Sequence, residues 1–157
     1  MGVGPRGTGL AISAGAVCAM VTGILYGRII RRFSFQTLSA LGLGVMGVGY
    51  VLVSRADSYW IVVAGLGISE GGFGLLVPNL NVWLTTVVPA ATRGRAFGGL
   101  TTCVFLGQFL SPFVSQPMAA RRGLAATFAV VGGSLVVAAA GYLVARRLYA
   151  ARGWATR

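Results

Sequence analysis

The chain has 157 residues, 56% of them hydrophobic and only 10% charged, with a formal charge of +11. Soluble domains carry about 25% charged residues, so this little charge cannot cover a water-facing surface, and the mean hydropathy of +0.83 agrees. Every basic residue is Arg, Asp57 and Glu70 are the only acids, and His is absent; no catalytic constellation, metal site or cofactor is expected from this set.

Five apolar runs follow one another. The first covers residues 9–26 and stops at Arg28, Arg31 and Arg32. A charged start before an apolar stretch also describes a leader peptide, but the length of this run and its arginine stop read as a retained span. The second run covers 36–54. The third, 59–88, is long enough to tilt or to extend past the hydrocarbon. The fourth covers 97–118 and the fifth 124–145, before a tail over 146–157. Cys18 and Cys103 lie inside apolar runs, which suits neither a disulfide framework nor a metal site. Each run is near or above the roughly 20 residues a helix needs to cross a bilayer, and none alternates as a membrane barrel strand does. The expected fold is an all-α integral membrane protein, five transmembrane helices in a single membrane domain over 1–157.

The connectors 27–35, 55–58, 89–96 and 119–123 are short and charged. They leave no room for a soluble domain, so consecutive helices should be antiparallel neighbours. Connectors then alternate across the bilayer and sort the arginines. Arg28, Arg31, Arg32, Arg93, Arg95, Arg146, Arg147, Arg152 and Arg157 fall on one side, and Arg6, Arg55, Arg121 and Arg122 on the other. Short Arg-rich loops stay in the cytoplasm, which places the N-terminus outside and the C-terminus inside, in the plasma (inner) membrane. A nucleic-acid surface needs a folded basic face in water; charge split between two membrane sides excludes one.

Glycines recur at helix-contact spacing: Gly23 and Gly27; Gly42, Gly44, Gly47 and Gly49; Gly67, Gly71 and Gly74. Small residues let helices approach closely in lipid. The sequence leaves open whether such faces only pack or also let helices slide.

Glu70 lies eleven residues into the third run, roughly 16 Å deep at 1.5 Å per residue. A carboxylate there is costly when ionised and should face the bundle interior or water. It reads either as a proton- or cation-coupling group or as a helix–helix hydrogen-bonding residue. Gly74 and Asn81 share its face at 100° per residue. Pro78 frees a backbone carbonyl with Asn79 and Asn81 close behind, and an interrupted helix with polar groups beside it is one way carriers form a substrate site. In the fourth run Thr101, Gln108 and Ser115 share a face, and Pro112 and Pro117 should bend its second half. Gln108 reads equally as a cavity-lining amide and as a link between helices.

The stretch from Gly23 to Arg32 resembles the cytoplasmic loop signature G-x-x-x-D-R-x-G-R-R/K of major facilitator superfamily transporters. Gly23, Arg28, Arg31 and Arg32 fit it, while Gly27 replaces the acid and Ile30 the second glycine. The degenerate copy is the C-terminal one in that family. Residues 92–98, with Arg93 and Gly94, are similar to the loop between the family's tenth and eleventh helices, and 107–112 to the eleventh helix of its bacterial efflux members. The resemblance implies a partial major facilitator fold, helices eight to twelve, with the seventh helix and the N-terminal half absent. The chain is then expected to be a fragment, a truncated reading frame or one piece of a split carrier. It would work with a missing transporter half in cis or in trans, moving an unknown small molecule by alternating access, as a proton-coupled exporter. Glu70 would couple, Asn79, Asn81 and Gln108 line the path, and the arginines hold the cytoplasmic side. The alternative is a non-transporting assembly or regulatory partner that keeps a truncated transporter fold.

Overall fold

The computed structural model describes residues 4–151. Helix α1, Pro5–Ile29, opens on Pro5, whose fixed φ and missing N–H suit a first helical position. Ser34 and Ser58 cap α2, Phe35–Ser54, and α3, Tyr59–Val87, by accepting from the backbone N–H of Thr37 and Ile61, the usual relief for unpaired donors in a first turn. A 3₁₀ turn, Ala90–Thr92, leads into α4, Arg93–Ala151. All four helices are long and apolar enough to cross a membrane.

The runs 97–118 and 124–145, expected as two helices, lie in the one 59-residue element α4, whose two helical segments meet at a kink at Gly123. Arg121 and Arg122 suggest a surface loop, but Ala and Arg are good helix formers, and the chain stays helical up to Gly123. Gly123 alone leaves helical geometry, at φ 82° and ψ 162°, a region essentially reserved for glycine. Ser111 and Val131 line the same hollow of about 320 Å³, although a straight helix would hold them about 30 Å apart. The chain therefore folds back at Gly123. Thr127 donates its hydroxyl to the Gly123 carbonyl (3.0 Å) just past the bend. The tail expected from 146 is helical as far as Ala151, while Arg152 and Arg157 lie outside the described residues.

The helices pack in the order α1, α3, α2 and the second segment of α4. The seams run through glycine. A Cβ on Gly49 would lie 2.5 Å from the Gly65 carbonyl oxygen, and one on Gly72 would lie 2.6 Å from that of Gly42. On another face of α2, Gly47 and Gly132 oppose each other, and a Cβ on either would lie 2.7 Å from the other's carbonyl oxygen. Backbones in such contact gain the dispersion energy that helices in hydrocarbon cannot obtain by hiding apolar surface from one another. Gly65, Gly72 and Gly132 complete seams for which the sequence pattern marks only the α2 side, whereas Gly27 has open space around it.

Side-chain contacts fix the directions. Tyr59 donates to the Gly7 carbonyl (2.7 Å), so α1 and α3 begin at the same end. At the opposite end Tyr26 of α1 meets Asn79 of α3, and Arg146 of α4 meets Thr37 at the start of α2. That end gathers Arg28, Arg31, Arg32, Arg93, Arg95, Arg146 and Arg147, while Arg6, Arg55, Arg121 and Arg122 mark the other.

Gly49→Ala should lower the thermal unfolding midpoint in detergent, since overpacking a tight contact costs about 1–3 kcal/mol. Gly133→Ala, into open space, should leave the midpoint unchanged or raise it.

Candidate functional site at the seam of α1 and α3

The face that α1 turns to α3 carries Ala11, Gly15, Cys18, Thr22 and Tyr26, spaced by three or four residues and so aligned on one side of a helix. Thr22 directs its hydroxyl back to the carbonyls of Cys18 and Ala19 (both 3.0 Å). The seam is thus small or internally satisfied along most of its length, and two polar side chains of α3 stand out against it.

Glu70 is the first. It is half-buried, and its stem lies on Gly15, where a Cβ would meet Glu70 Cγ at 2.8 Å. It borders a hollow of about 160 Å³ whose other walls are Ala11, Ile12, Gly15, Ala16 and Leu66. The opposite flank of the seam is a wider apolar groove of about 570 Å³, to which α2 contributes Val45. Glu70 therefore occupies the flank away from α2. The walls around this carboxylate are apolar side chains and glycine, surroundings in which an ionised group is expensive in hydrocarbon.

Asn79 is the second, and it sits differently. It is fully buried. Its Nδ2 donates to the Phe35 carbonyl (2.7 Å) and to Ser39 Oγ (2.8 Å), and its Oδ1 accepts from the Tyr26 hydroxyl (3.4 Å). One amide thus ties α1, α2 and α3 together at the arginine-rich end. Pro78, the residue before it, leaves the Gly74 carbonyl without its helical donor, and that oxygen faces Gly23 of α1.

The remaining sequence candidates are dispersed. Asn81 is half-buried, and Gln108 lies on a stretch of α4 exposed at every residue from 101 to 114. The hollow at Glu70 is lined by neither of these amides nor by Asn79. Helix α3 continues through Pro78, and α4 through Pro112 and Pro117. Arg28, Arg31 and Arg32 are exposed at the end of α1. Arg93 donates to the carbonyls of Thr85 (3.0 Å) and Val88 (3.3 Å), where a cation complements the unpaired oxygens of a helix end. Gly94 stands in open space. Tyr26, Ser39 and Gly15 were not among the sequence candidates. The three- and four-residue spacing from Ala11 to Tyr26 is the signal that marks their common face, but no sequence pattern pairs Ser39 with Asn79.

Glycine-sealed helices of membrane-crossing length, with a lone carboxylate partway along one of them, define a polytopic membrane protein. The chain belongs to the Major Facilitator Superfamily, whose family model matches residues 1–155. It is 31% identical over 97 residues to an uncharacterized MFS-type transporter of Pseudomonas aeruginosa, covering 62% of this chain and 24% of that one. It is 28% identical over 136 residues to the multi-drug resistance efflux pump PmrA of Streptococcus pneumoniae, covering 83% and 33%. It is 29% identical over 136 residues to the multidrug resistance protein MdtG of Proteus mirabilis, covering 83% and 32%. The chain therefore spans a quarter to a third of the length of these relatives. No solved structure matches it.

Asn79→Leu should destabilise the bundle by about 1–3 kcal/mol, because it removes all three hydrogen bonds that tie α3 to α1 and α2 and strands the Tyr26 hydroxyl, while the Ser39 hydroxyl keeps its bond to the Phe35 carbonyl (3.0 Å). Tyr26→Phe, which removes only the longest of the three bonds, should cost less. Thermal unfolding of the purified variants in detergent ranks them.

Proposed function

We propose that this chain is the C-terminal part, helices eight to twelve, of a carrier that exports a small molecule by alternating access with Glu70 as the proton-coupling group. The observation that carries the reading is the placement of Glu70: one carboxylate partway along α3, in a small hollow with apolar walls. A proton arriving there neutralises a charge that hydrocarbon disfavours, and its release restores that charge, so the protonation state biases which arrangement of the surrounding helices is stable. Membership of a transporter family and likeness to two proteins named as multidrug efflux or resistance proteins support transport and its outward direction. The substrate path would run along the flank that Glu70 borders, with Asn81 and Gln108 reached once the carrier is complete and Asn79 holding the helix ends that frame it.

The bend at Gly123 supports five crossings, since the segments 93–122 and 124–151 each exceed the roughly 20 residues that a crossing requires. Sorting arginines by connector then sets the arginine-rich end in the cytoplasm, with the N-terminus outside and the C-terminus inside. The exposed stretch 101–114 supports a missing half. Lipid accommodates its Phe105, Phe109 and Phe113 but offers no partner to the exposed Gln108 amide, which in hydrocarbon is best satisfied by another helix. That same stretch would serve the alternative, a non-transporting assembly partner.

In cells expressing the complete carrier, ethidium efflux by Glu70→Gln should lose its dependence on external acidification, while Glu70→Asp keeps part of it. An unchanged rate and pH-dependence in Glu70→Gln removes this residue from coupling. A green fluorescent protein fused after Arg157 should fluoresce, as it does on the cytoplasmic side; an alkaline phosphatase fusion active at the same position reverses the topology.

A further inference from the structure

Where α1 ends, a hollow of about 480 Å³ is lined by Arg28, Ile29, Arg31, Arg32 and Phe33. The helix closes with Ile30, whose N–H still donates to the Tyr26 carbonyl (2.9 Å), and the chain then turns, with the Arg32 backbone N–H donating to the Ile29 carbonyl (3.0 Å). This turn gathers three guanidinium groups around one space, and all three side chains are exposed. Neither acidic side chain of the chain lies at this end. Glu70 is partway along α3, and Asp57 follows the far end of α2, a helix whose 20 residues span about 30 Å. The Coulomb demand of three clustered cations is therefore not met by an acidic side chain among the described residues.

The remaining walls narrow the choice of anion. Ile29 is half-buried, and Phe33 is 44% exposed against the same hollow. A free inorganic ion gains nothing from an aromatic wall, whereas an amphiphile satisfies both halves of the site. The hollow also stands where the apolar part of α1 gives way to arginine, which is the level of lipid headgroups for a helix that crosses a bilayer. Guanidinium is the side chain best matched to phosphate, through paired N–H···O bonds in a planar fork.

We propose that this hollow is a binding site for an anionic glycerophospholipid, with Arg28, Arg31 and Arg32 on the phosphate and Ile29 and Phe33 against the glycerol and upper acyl chain. The inference rests on the membrane-embedded reading and not on transport. Occupancy offsets part of the positive charge of the turn between α1 and α2 and fixes it at the membrane surface.

The test is lipid retention by the purified full chain, measured by native mass spectrometry in detergent with phosphatidylglycerol or phosphatidylethanolamine added. Phosphatidylglycerol should be retained in preference. Each of Arg28→Gln, Arg31→Gln and Arg32→Gln should weaken that retention about five-fold, the equivalent of one surface cation near anionic lipid. Arg146→Gln with Arg147→Gln, at the same end but outside the hollow, should leave it unchanged. Equal retention of the two lipids overturns the proposal, as does unaltered binding in all three single variants. An equal loss in the Arg146/Arg147 double variant replaces the site with a diffuse charge belt and overturns it too. Displacement of the lipid by an equal concentration of inorganic phosphate assigns the hollow to a free anion instead. A chain that carries no substrate yet retains phosphatidylglycerol leaves the inference standing, so the two readings fail separately.

Discussion

The direct backbone contact that α2 makes on two of its faces is the constraint on which the rest of the molecule depends. Water supplies the driving force in a soluble bundle, but between helices in hydrocarbon there is little to gain by hiding one apolar surface from another. What remains is dispersion at short range, and it rises steeply as atoms approach. Gly49 and Gly65, Gly42 and Gly72, and Gly47 and Gly132 remove the side chains that would hold the helices apart. Helix α2 thereby becomes the shared partner of the α1–α3 pair and of the second segment of α4. The largest fully buried side chains are only Leu38, Asn79 and Ser69, so the core consists of backbone surfaces more than of side chains.

Against that background the two polar residues of α3 take opposite parts. Asn79 is committed to its neighbours through three hydrogen bonds from three directions, which suits a residue that frames a site. Glu70 is set against a glycine and apolar side chains beside an open hollow, with no such commitment to a neighbouring helix. The difference arises from what the neighbouring helices present at each level. Near Asn79 they offer the Tyr26 hydroxyl, Ser39 Oγ and the Phe35 carbonyl, which accepts from Ser39 Oγ as well; near Glu70 they offer Gly15.

The membrane class, the apolar stretches at the heart of α1, α2 and α3 and the separation of arginines to two ends were legible in the sequence, because hydropathy and charge report the surrounding solvent directly; α1 runs four residues before and three beyond its apolar run. The bend in α4 was legible only in part. Arg121 and Arg122 signal a surface position correctly, yet the local propensity of the Ala–Arg stretch keeps it helical until one glycine turns the chain. The glycine seams were half legible. Spacing identifies a candidate face on α2, but it cannot say that Gly65 and Gly132 lie across from it, because those pairings depend on how far each helix has slid along its neighbour. The Asn79 cluster was hidden for the same reason: its members come from residues 26, 35, 39 and 79, brought together by tertiary register alone.

Two phenols sit at opposite ends of one seam. Tyr59 reaches the first turn of α1, and Tyr26 near its last turn reaches Asn79. Pinned at both ends and in close contact between them, α1 and α3 cannot shear past each other without breaking a tie. The first segment of α4, exposed at every residue from 101 to 114, carries no comparable tie among the described residues.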